Sequence, residues 1–161
     1  MQNTLSKPAI LKGVGLHSGR EISLTMHPAE ADSGIVFVRS DITDKDNIIP
    51  ARWDRVADTQ LCTVIANKDG VSVGTIEHLM SALRGCNIDN ARIELDGAEV
   101  PVMDGSAMPF VKLIEQAGVA AQNVPRRALK ILKEISVEKD GKQVTLRPAD
   151  GAVFGGEIEF D

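Results

Sequence analysis

Aromatic residues and cysteines are scarce in this sequence. Its 161 residues include no tyrosine, one tryptophan, four phenylalanines and two cysteines, Cys62 and Cys86. Two cysteines are too few for a disulfide framework, and their spacing matches no zinc ribbon. No apolar run approaches the roughly 20 residues that a membrane-spanning helix requires. These absences exclude a disulfide scaffold, a zinc ribbon and a chain with a transmembrane helix.

Concentrated positive charge is also missing. The formal net charge is -5, and no basic block or stripe occurs that could bind nucleic acid. The N-terminal residues MQNTLSKPAI have no positively charged region followed by an apolar stretch, so they do not resemble a secretory signal. We therefore expect a cytoplasmic protein with reduced thiols and no nucleic-acid partner.

The pattern of apolar residues predicts an α+β fold. With 43% hydrophobic and 25% charged residues, the composition is that of a globular protein. Short alternating runs bounded by glycine, proline and aspartate are typical of strands. The predicted strands are Thr4–Leu11, Glu21–His27, Gly34–Arg39, Cys62–Ala66, Ala91–Leu95, Leu129–Val137, Gln143–Arg147 and Glu157–Phe160.

Two helices are predicted between these strands. The first has Thr75 as its N-cap and ends at Gly85, with an apolar stripe at helical spacing formed by Ile76, Leu79, Met80 and Leu83. The second follows a capping turn, Asp104-Gly105-Ser106, and has Pro109 in its first turn and Gly118 at its C-terminal boundary. Its stripe consists of Phe110, Leu113, Ile114 and Ala117.

A weak internal repeat suggests a duplicated unit. The letters GREISL at 19–24, followed by HPA at 27–29, resemble GKQVTL at 141–146, followed by RPA at 147–149. Either β-hairpins share turn chemistry here, or a second α+β unit begins near Ala128. The second interpretation predicts a first domain at 1–122, a linker at 123–127 and the incomplete start of a similar domain at 128–161. The unpaired strands of such a partial sheet could also support self-association.

The most suggestive chemical feature is Glu77-His78, in the first turn of the first helix. Neither residue lies on the apolar stripe, and the helix N-terminus favours a carboxylate beside a neutral imidazole. Such a pair suits a zinc site with an adjacent general base. It could equally be a polar surface turn, because no HxxxH, HxxxD or HxxE spacing accompanies it.

A glycine-rich segment at 13–19 lies between two predicted strands and contains His17. Its spacing is neither that of a P-loop nor that of a dinucleotide fingerprint. Its backbone N–H groups could cradle a phosphate, or the segment could be a tight hairpin turn with a solvated His17. Cys62 is by default a small buried apolar residue.

Four motifs together resemble one enzyme family. GVGLHSG at 13–19, TIEHLMSA at 75–82, GCNIDN at 85–90 and VPVMDGSAMPF at 100–110 occur in the order and spacing of the UDP-3-O-acyl-N-acetylglucosamine deacetylases. Leu61-Cys62-Thr63 also fits that pattern. The resemblance covers essentially the whole chain.

This resemblance implies a cytoplasmic, zinc-dependent amidohydrolase of lipid A biosynthesis. It would remove acetate from UDP-3-O-(3-hydroxyacyl)-N-acetylglucosamine, a UDP-linked acylated amino sugar. The implied fold is two similar α+β domains, each a sheet layered with two helices. His78 matches the one Zn²⁺ ligand of the first domain, and Glu77 matches the general base. His17, Leu61, Cys62 and Thr63 look like contributors to the substrate pocket.

The family's other metal ligands, a histidine and an aspartate one helical turn apart, have no counterpart in this sequence. We therefore expect the 161-residue chain to be inactive by itself, because its zinc site requires residues that it lacks. The alternative is a catalytically inactive, truncated homologue that binds a nucleotide sugar or a protein partner.

Overall fold

The computed structural model describes residues 1–159 and divides the chain into two compact units, Met1–Arg126 and the residues from Arg127 onward. The described residues form an α+β fold, which confirms the predicted class. The helices are α1 (Glu77–Gly85) and α2 (Met108–Ala117). The strands are β1 (Gln2–Leu5), β2 (Ala9–Val14), β3 (Glu21–Pro28), β4 (Ile35–Arg39), β5 (Ile48–Pro50), β6 (Val56–Asp58), β7 (Val64–Ala66), β8 (Ser72–Val73), β9 (Ala91–Leu95), β10 (Val119–Gln122), β11 (Ile135–Lys139) and β12 (Lys142–Leu146).

A five-stranded sheet organises the first unit. Its strand order is β2-β3-β9-β4-β5, and every neighbouring pair is antiparallel except β4 and β9. Because side chains alternate between the two faces of a strand, the alternating apolar residues of β3 and β9 share one buried face. Those residues are Ile22, Leu24, Met26, Ala91, Ile93 and Leu95.

The two helices complete the core against that face. The predicted stripe of α1 is confirmed, with Leu79 and Leu83 buried, and α2 buries Phe110 and Ile114 in the same cluster. Gly118 follows α2 with a φ of 75°, a left-handed conformation that suits glycine at a helix C-terminus.

The turn before α2 is a capping turn, as predicted. The Ser106 hydroxyl donates to Asp104 Oδ1 at 2.8 Å and accepts from the Met108 N–H at 3.1 Å. The first N–H of the helix, which has no partner within the helix, is thereby satisfied.

The predicted start of α1 is wrong. The cap position is Ile76, whereas Thr75 has a φ of 55° and its hydroxyl donates to Glu99 instead of receiving a helix N–H. Thr75 therefore lacks the extended backbone of an N-cap residue, and its hydroxyl is directed toward Glu99 rather than toward the N–H groups of the helix.

Two predicted strands of the first unit have different bounds. The run Thr4–Leu11 is two strands, because residues 6–8 break it and Pro8 has no N–H for a ladder. β1 then pairs with β10, and β2 pairs with β3. The strand predicted at Cys62–Ala66 begins only at Val64, so Cys62 lies in the preceding loop.

Buried amides join the first strand of this unit to its last. The Asn90 side-chain NH₂ donates to Gln2 Oε1 at 2.8 Å and to Gln122 Oε1 at 2.7 Å. Asn90 is 1% exposed and Gln2 is 4% exposed, so these hydrogen bonds satisfy polar groups that water does not reach. β1 and β10 are thereby fixed beside the start of β9.

A small antiparallel sheet, β6-β7-β8, precedes α1. A 3₁₀ helix, Trp53–Arg55, leads into it. Within residues 1–159, neither helix has the length and apolarity that crossing a bilayer would require.

The second unit contains one β-hairpin in its described part. β11 and β12 pair from Ile135↔Leu146 to Lys139↔Lys142, and Asp140 and Gly141 form the turn with φ values of 52° and 73°. The strand predicted at Leu129–Val137 therefore starts six residues too early. Residues 157–159 are not a strand, and Phe160, the last residue of that predicted strand, lies outside the described residues.

Candidate active site

A pocket of about 400 Å³ lies in the first unit, between the glycine-rich hairpin, the loop before β7 and the segment before α1. Its lining brings together three predicted site residues, His17, Leu61 and Cys62, from two distant parts of the chain. Thr75 and Glu99 line the same pocket.

The glycine-rich segment forms the turn between β2 and β3. The Gly15 N–H donates to the Arg20 carbonyl at 2.9 Å, and the Gly19 N–H donates to the Gly15 carbonyl at 3.0 Å. The tight hairpin turn that the sequence predicts is therefore confirmed. His17 has an exposed side chain at the mouth of the pocket.

The backbone N–H groups of this turn bind a carboxylate that belongs to the chain itself. Glu99, only 5% exposed, accepts the His17 N–H on Oε1 and the Ser18 N–H on Oε2, both at 2.9 Å. The Thr75 hydroxyl also donates to Glu99 Oε1, at 3.0 Å. Because two backbone donors of the turn already hold a carboxylate, the structure does not favour the phosphate-cradle interpretation.

The Glu99 carboxylate is stabilised in its charged form. Burial by itself raises the pKa of Glu99, but hydrogen bonds from His17, Ser18 and Thr75 outweigh burial, and the pKa falls below its usual value. Glu99 is thus ionised at neutral pH and acts as a fixed negative charge inside the turn.

We expect Gly15→Ala to destabilise the protein. A Cβ at Gly15 would collide with Glu99 Oε2 and with the Ser18 hydroxyl, and neither can move without breaking hydrogen bonds of the turn. Overpacking of this kind costs about 1–3 kcal/mol. Equilibrium unfolding in urea measures the change in the free energy of unfolding.

Gly85→Ala is the matched control for that substitution. Gly85 is the last residue of α1, is exposed and has no heavy atom within 4 Å of a built Cβ. Alanine in a helix is favoured over glycine by up to about 1 kcal/mol, so this variant should be as stable as the wild type or more stable. Equal stability of Gly15→Ala and the wild type would show that the turn has room at this position.

Glu77 and His78 lie in the first turn of α1, and both are half-buried. The Glu77 carboxylate accepts the backbone N–H of Thr63 through Oε1. This hydrogen bond joins the general-base candidate to the loop that carries Leu61 and Cys62, which line the pocket.

The His78 ring has one nitrogen without a partner. Its Nδ1 atom is buried and has no hydrogen-bond partner in the described part of the chain. Over residues 1–159, no three His, Cys, Asp or Glu side chains come together as a metal-binding group. His78 thus fits as one ligand of a metal, and the described residues provide no complete metal site.

Two residues of the pocket wall have left-handed backbone. Leu61 has a φ of 62° and Thr75 a φ of 55°. For a β-branched residue such as Thr75 this conformation is a genuine outlier, and residues of this kind cluster at functional sites. Thr75 is 6% exposed and its hydroxyl is bound to Glu99, so its surroundings hold it in that conformation.

Comparison with known proteins identifies the family of this chain. A family model described as UDP-3-O-acyl N-acetylglycosamine deacetylase, LpxC, matches residues 2–161. The chain belongs to the LpxC family.

Relatives named UDP-3-O-acyl-N-acetylglucosamine deacetylase align with 99% of this chain. Those from Myxococcus xanthus, Phenylobacterium zucineum and Chromohalobacter salexigens are 52%, 46% and 49% identical to it. The aligned region is 50%, 54% and 52% of their respective lengths. The chain therefore spans about half the length of the curated relatives it matches.

Glu99 lines this LpxC-family pocket but was not predicted from the sequence, and Thr75 was given a different role. Glu99 directly precedes the VPVMDGSAMPF motif, but its partners His17 and Ser18 lie more than 80 positions earlier. No local pattern indicates such a pairing. The one indirect signal of this contact in the sequence was the glycine at position 15, because a side chain there would collide with the Glu99 carboxylate.

Proposed function

We propose that this chain is the N-terminal half of a zinc-dependent amidohydrolase. The enzyme deacetylates UDP-3-O-(3-hydroxyacyl)-N-acetylglucosamine to the free amine and acetate in lipid A biosynthesis. The observation that carries the proposal is the arrangement of His17, Leu61 and Cys62 around one pocket. Glu77 is joined to the same loop by a hydrogen bond from Thr63, the residue that follows Cys62. Identities of 46–52% to proteins of that name support it over the inactive-homologue alternative.

In this proposal Glu77 is the general base. Its carboxylate takes a proton from the attacking water and returns it to the departing amine as the amide bond breaks. The Thr63 N–H holds one carboxylate oxygen in place, so the other oxygen keeps a defined direction toward the water. His17, Leu61, Cys62 and Thr63 are the proposed substrate-binding residues.

His78 is the proposed zinc ligand of this half. The chemistry that bound zinc supplies is polarisation of the acetamide carbonyl and a lowered pKa for water. A catalytic zinc requires three protein ligands, and His78 is one imidazole. We propose that the other two, a histidine and an aspartate, come from the part of the family fold with which this chain does not align.

We also propose the domain arrangement 1–122, 123–127 and 128–161, with the last segment beginning a second α+β domain. The β11–β12 hairpin supports this proposal, because it repeats the β2–β3 pairing at the position of the internal repeat. The hairpin also exposes Ile135, Val137, Val144 and Leu146, which is consistent with self-association through its strands. A cytoplasmic location is part of the same proposal.

A chimeric enzyme tests the proposed activity. The chain is joined to the remaining half of the Myxococcus xanthus relative, and acetate release from the UDP-linked acylated amino sugar is measured. We expect turnover that a chelator abolishes and added zinc restores. A folded chimera that binds no zinc and releases no acetate would contradict the proposal and support the inactive, ligand-binding alternative.

A further inference from the structure

Glu99 joins three parts of the proposed active site that are distant in sequence. It accepts hydrogen bonds from the turn that carries His17 and from Thr75, which lies two residues before Glu77. It also lines the pocket itself. The backbone reinforces this link, because the Val100 N–H donates to the Gly74 carbonyl at 3.0 Å and the Gly74 N–H donates to the Ala98 carbonyl at 2.9 Å.

Hydrogen bonds alone hold the Glu99 carboxylate in the part of the chain that the structure describes. Glu99 is buried and carries no ion pair in the described residues, so its charge is balanced by N–H and hydroxyl dipoles alone. Those dipoles belong to the β2–β3 turn and to Thr75, whose φ of 55° is unusual for a β-branched residue. Without the carboxylate, two backbone N–H groups would lose their partners and Thr75 would lose the contact that holds its side chain.

We propose that Glu99 is a positioning residue of the deacetylase site. Its carboxylate sets the His17 turn and the entry of α1 in one arrangement, so that the substrate-binding His17 and the general base Glu77 face the same substrate. This inference rests on the proposed function. Glu99 does not touch the reacting atoms and takes no part in proton transfer.

Amide hydrogen exchange in the 161-residue chain tests whether the Glu99 carboxylate holds the His17 turn in place. In Glu99→Gln an NH₂ group replaces one acceptor oxygen, so the His17 and Ser18 N–H groups cannot both remain bonded. We expect exchange at these two amides to become at least about tenfold faster, while exchange in the β3 and β9 core changes little, because local opening leaves the rest of the fold intact. Unchanged exchange at His17 and Ser18 would overturn the proposal.

Steady-state kinetics of the chimera test whether this positioning by Glu99 contributes to catalysis. For Glu99→Gln we expect kcat/KM to fall by about tenfold or more, with bound zinc and the wild-type pH profile retained, because misplaced groups slow catalysis without changing the titrating base. Glu99→Asp should recover part of the loss, since it restores the charge with a shorter reach. A fall in zinc content that fully accounts for the lost activity would overturn a positioning role.

Two further variants make the result specific. Glu94→Gln is the matched control, because the Glu94 carboxylate on β9 contacts only the side chains of His27 and Arg92 in the described structure, and it should retain wild-type kinetics. Thr75→Val removes one donor to Glu99 and should shift the Glu77 and His78 amide resonances even if Glu99→Gln fails to fold. Unshifted resonances in folded Thr75→Val would count against the proposal. A folded wild-type chimera that binds no zinc and releases no acetate would refute the proposed function, whereas an active one with unaffected Glu99 variants would refute only this inference.

Discussion

Glu77→Gln is expected to lower kcat for acetate release by about 10²–10⁴-fold, the usual contribution of a general base. The amide cannot take a proton from water. It still has an oxygen that can accept the Thr63 N–H, so the loop and the first turn of α1 should keep their positions. The measurement is acetate release by the chimera at saturating substrate, with bound zinc determined in the same samples.

The control for this loss is Glu115→Gln, the same change at an exposed position on α2. It should leave kcat within about twofold of the wild type, because surface substitutions of this kind rarely affect folding or chemistry. If Glu77→Gln retained full turnover with normal zinc content, Glu77 could not be the base, and another group would have to take the proton.

Phe110→Ala should produce the largest loss of stability. Phe110 is completely buried on α2, where it belongs to the core cluster shared by both helices and the five-stranded sheet. Removing a buried aromatic ring forfeits its transfer free energy and leaves a cavity, which together cost about 3–5 kcal/mol. Urea unfolding of the 161-residue chain, followed by circular dichroism, gives the change in the free energy of unfolding.

Met108→Ala provides the comparison on the same helix. Met108 is 52% exposed, so its truncation should cost less than about 1 kcal/mol. Similar losses for the two variants would mean that α2 does not contribute to the core through the stripe that contains Phe110.

Local periodicity was sufficient to predict the helices and most of the central sheet. The spacing of Leu79 and Leu83, and that of Phe110 and Ile114, repeats the helical turn, and each pair is buried as expected. Alternation in Glu21–His27 and Ala91–Leu95 likewise predicted strands whose buried residues face the helices. These features depend on neighbouring residues, which a single sequence reveals.

Features that depend on distant partners were not predicted. Thr75 is a plausible N-cap by local rules, but Glu99, 24 positions later, binds its hydroxyl. The pairing of β1 with β10 was not predicted, because the two strands lie at opposite ends of the unit and neither short strand has a strong pattern of its own. For the site, the family motifs predicted Glu77, His78 and His17, whereas the Glu99 carboxylate, which binds the His17 turn and Thr75, became visible only in three dimensions.

The pairing of β1 with β10 has a consequence for synthesis of the chain. Gln2 of β1 pairs in the ladder with Gln122 of β10, 120 positions later. Contacts of such long sequence separation form late, since the intervening chain must first be ordered. During translation, β1 therefore cannot form its ladder with β10 until residues 119–122 have been made and have left the ribosome.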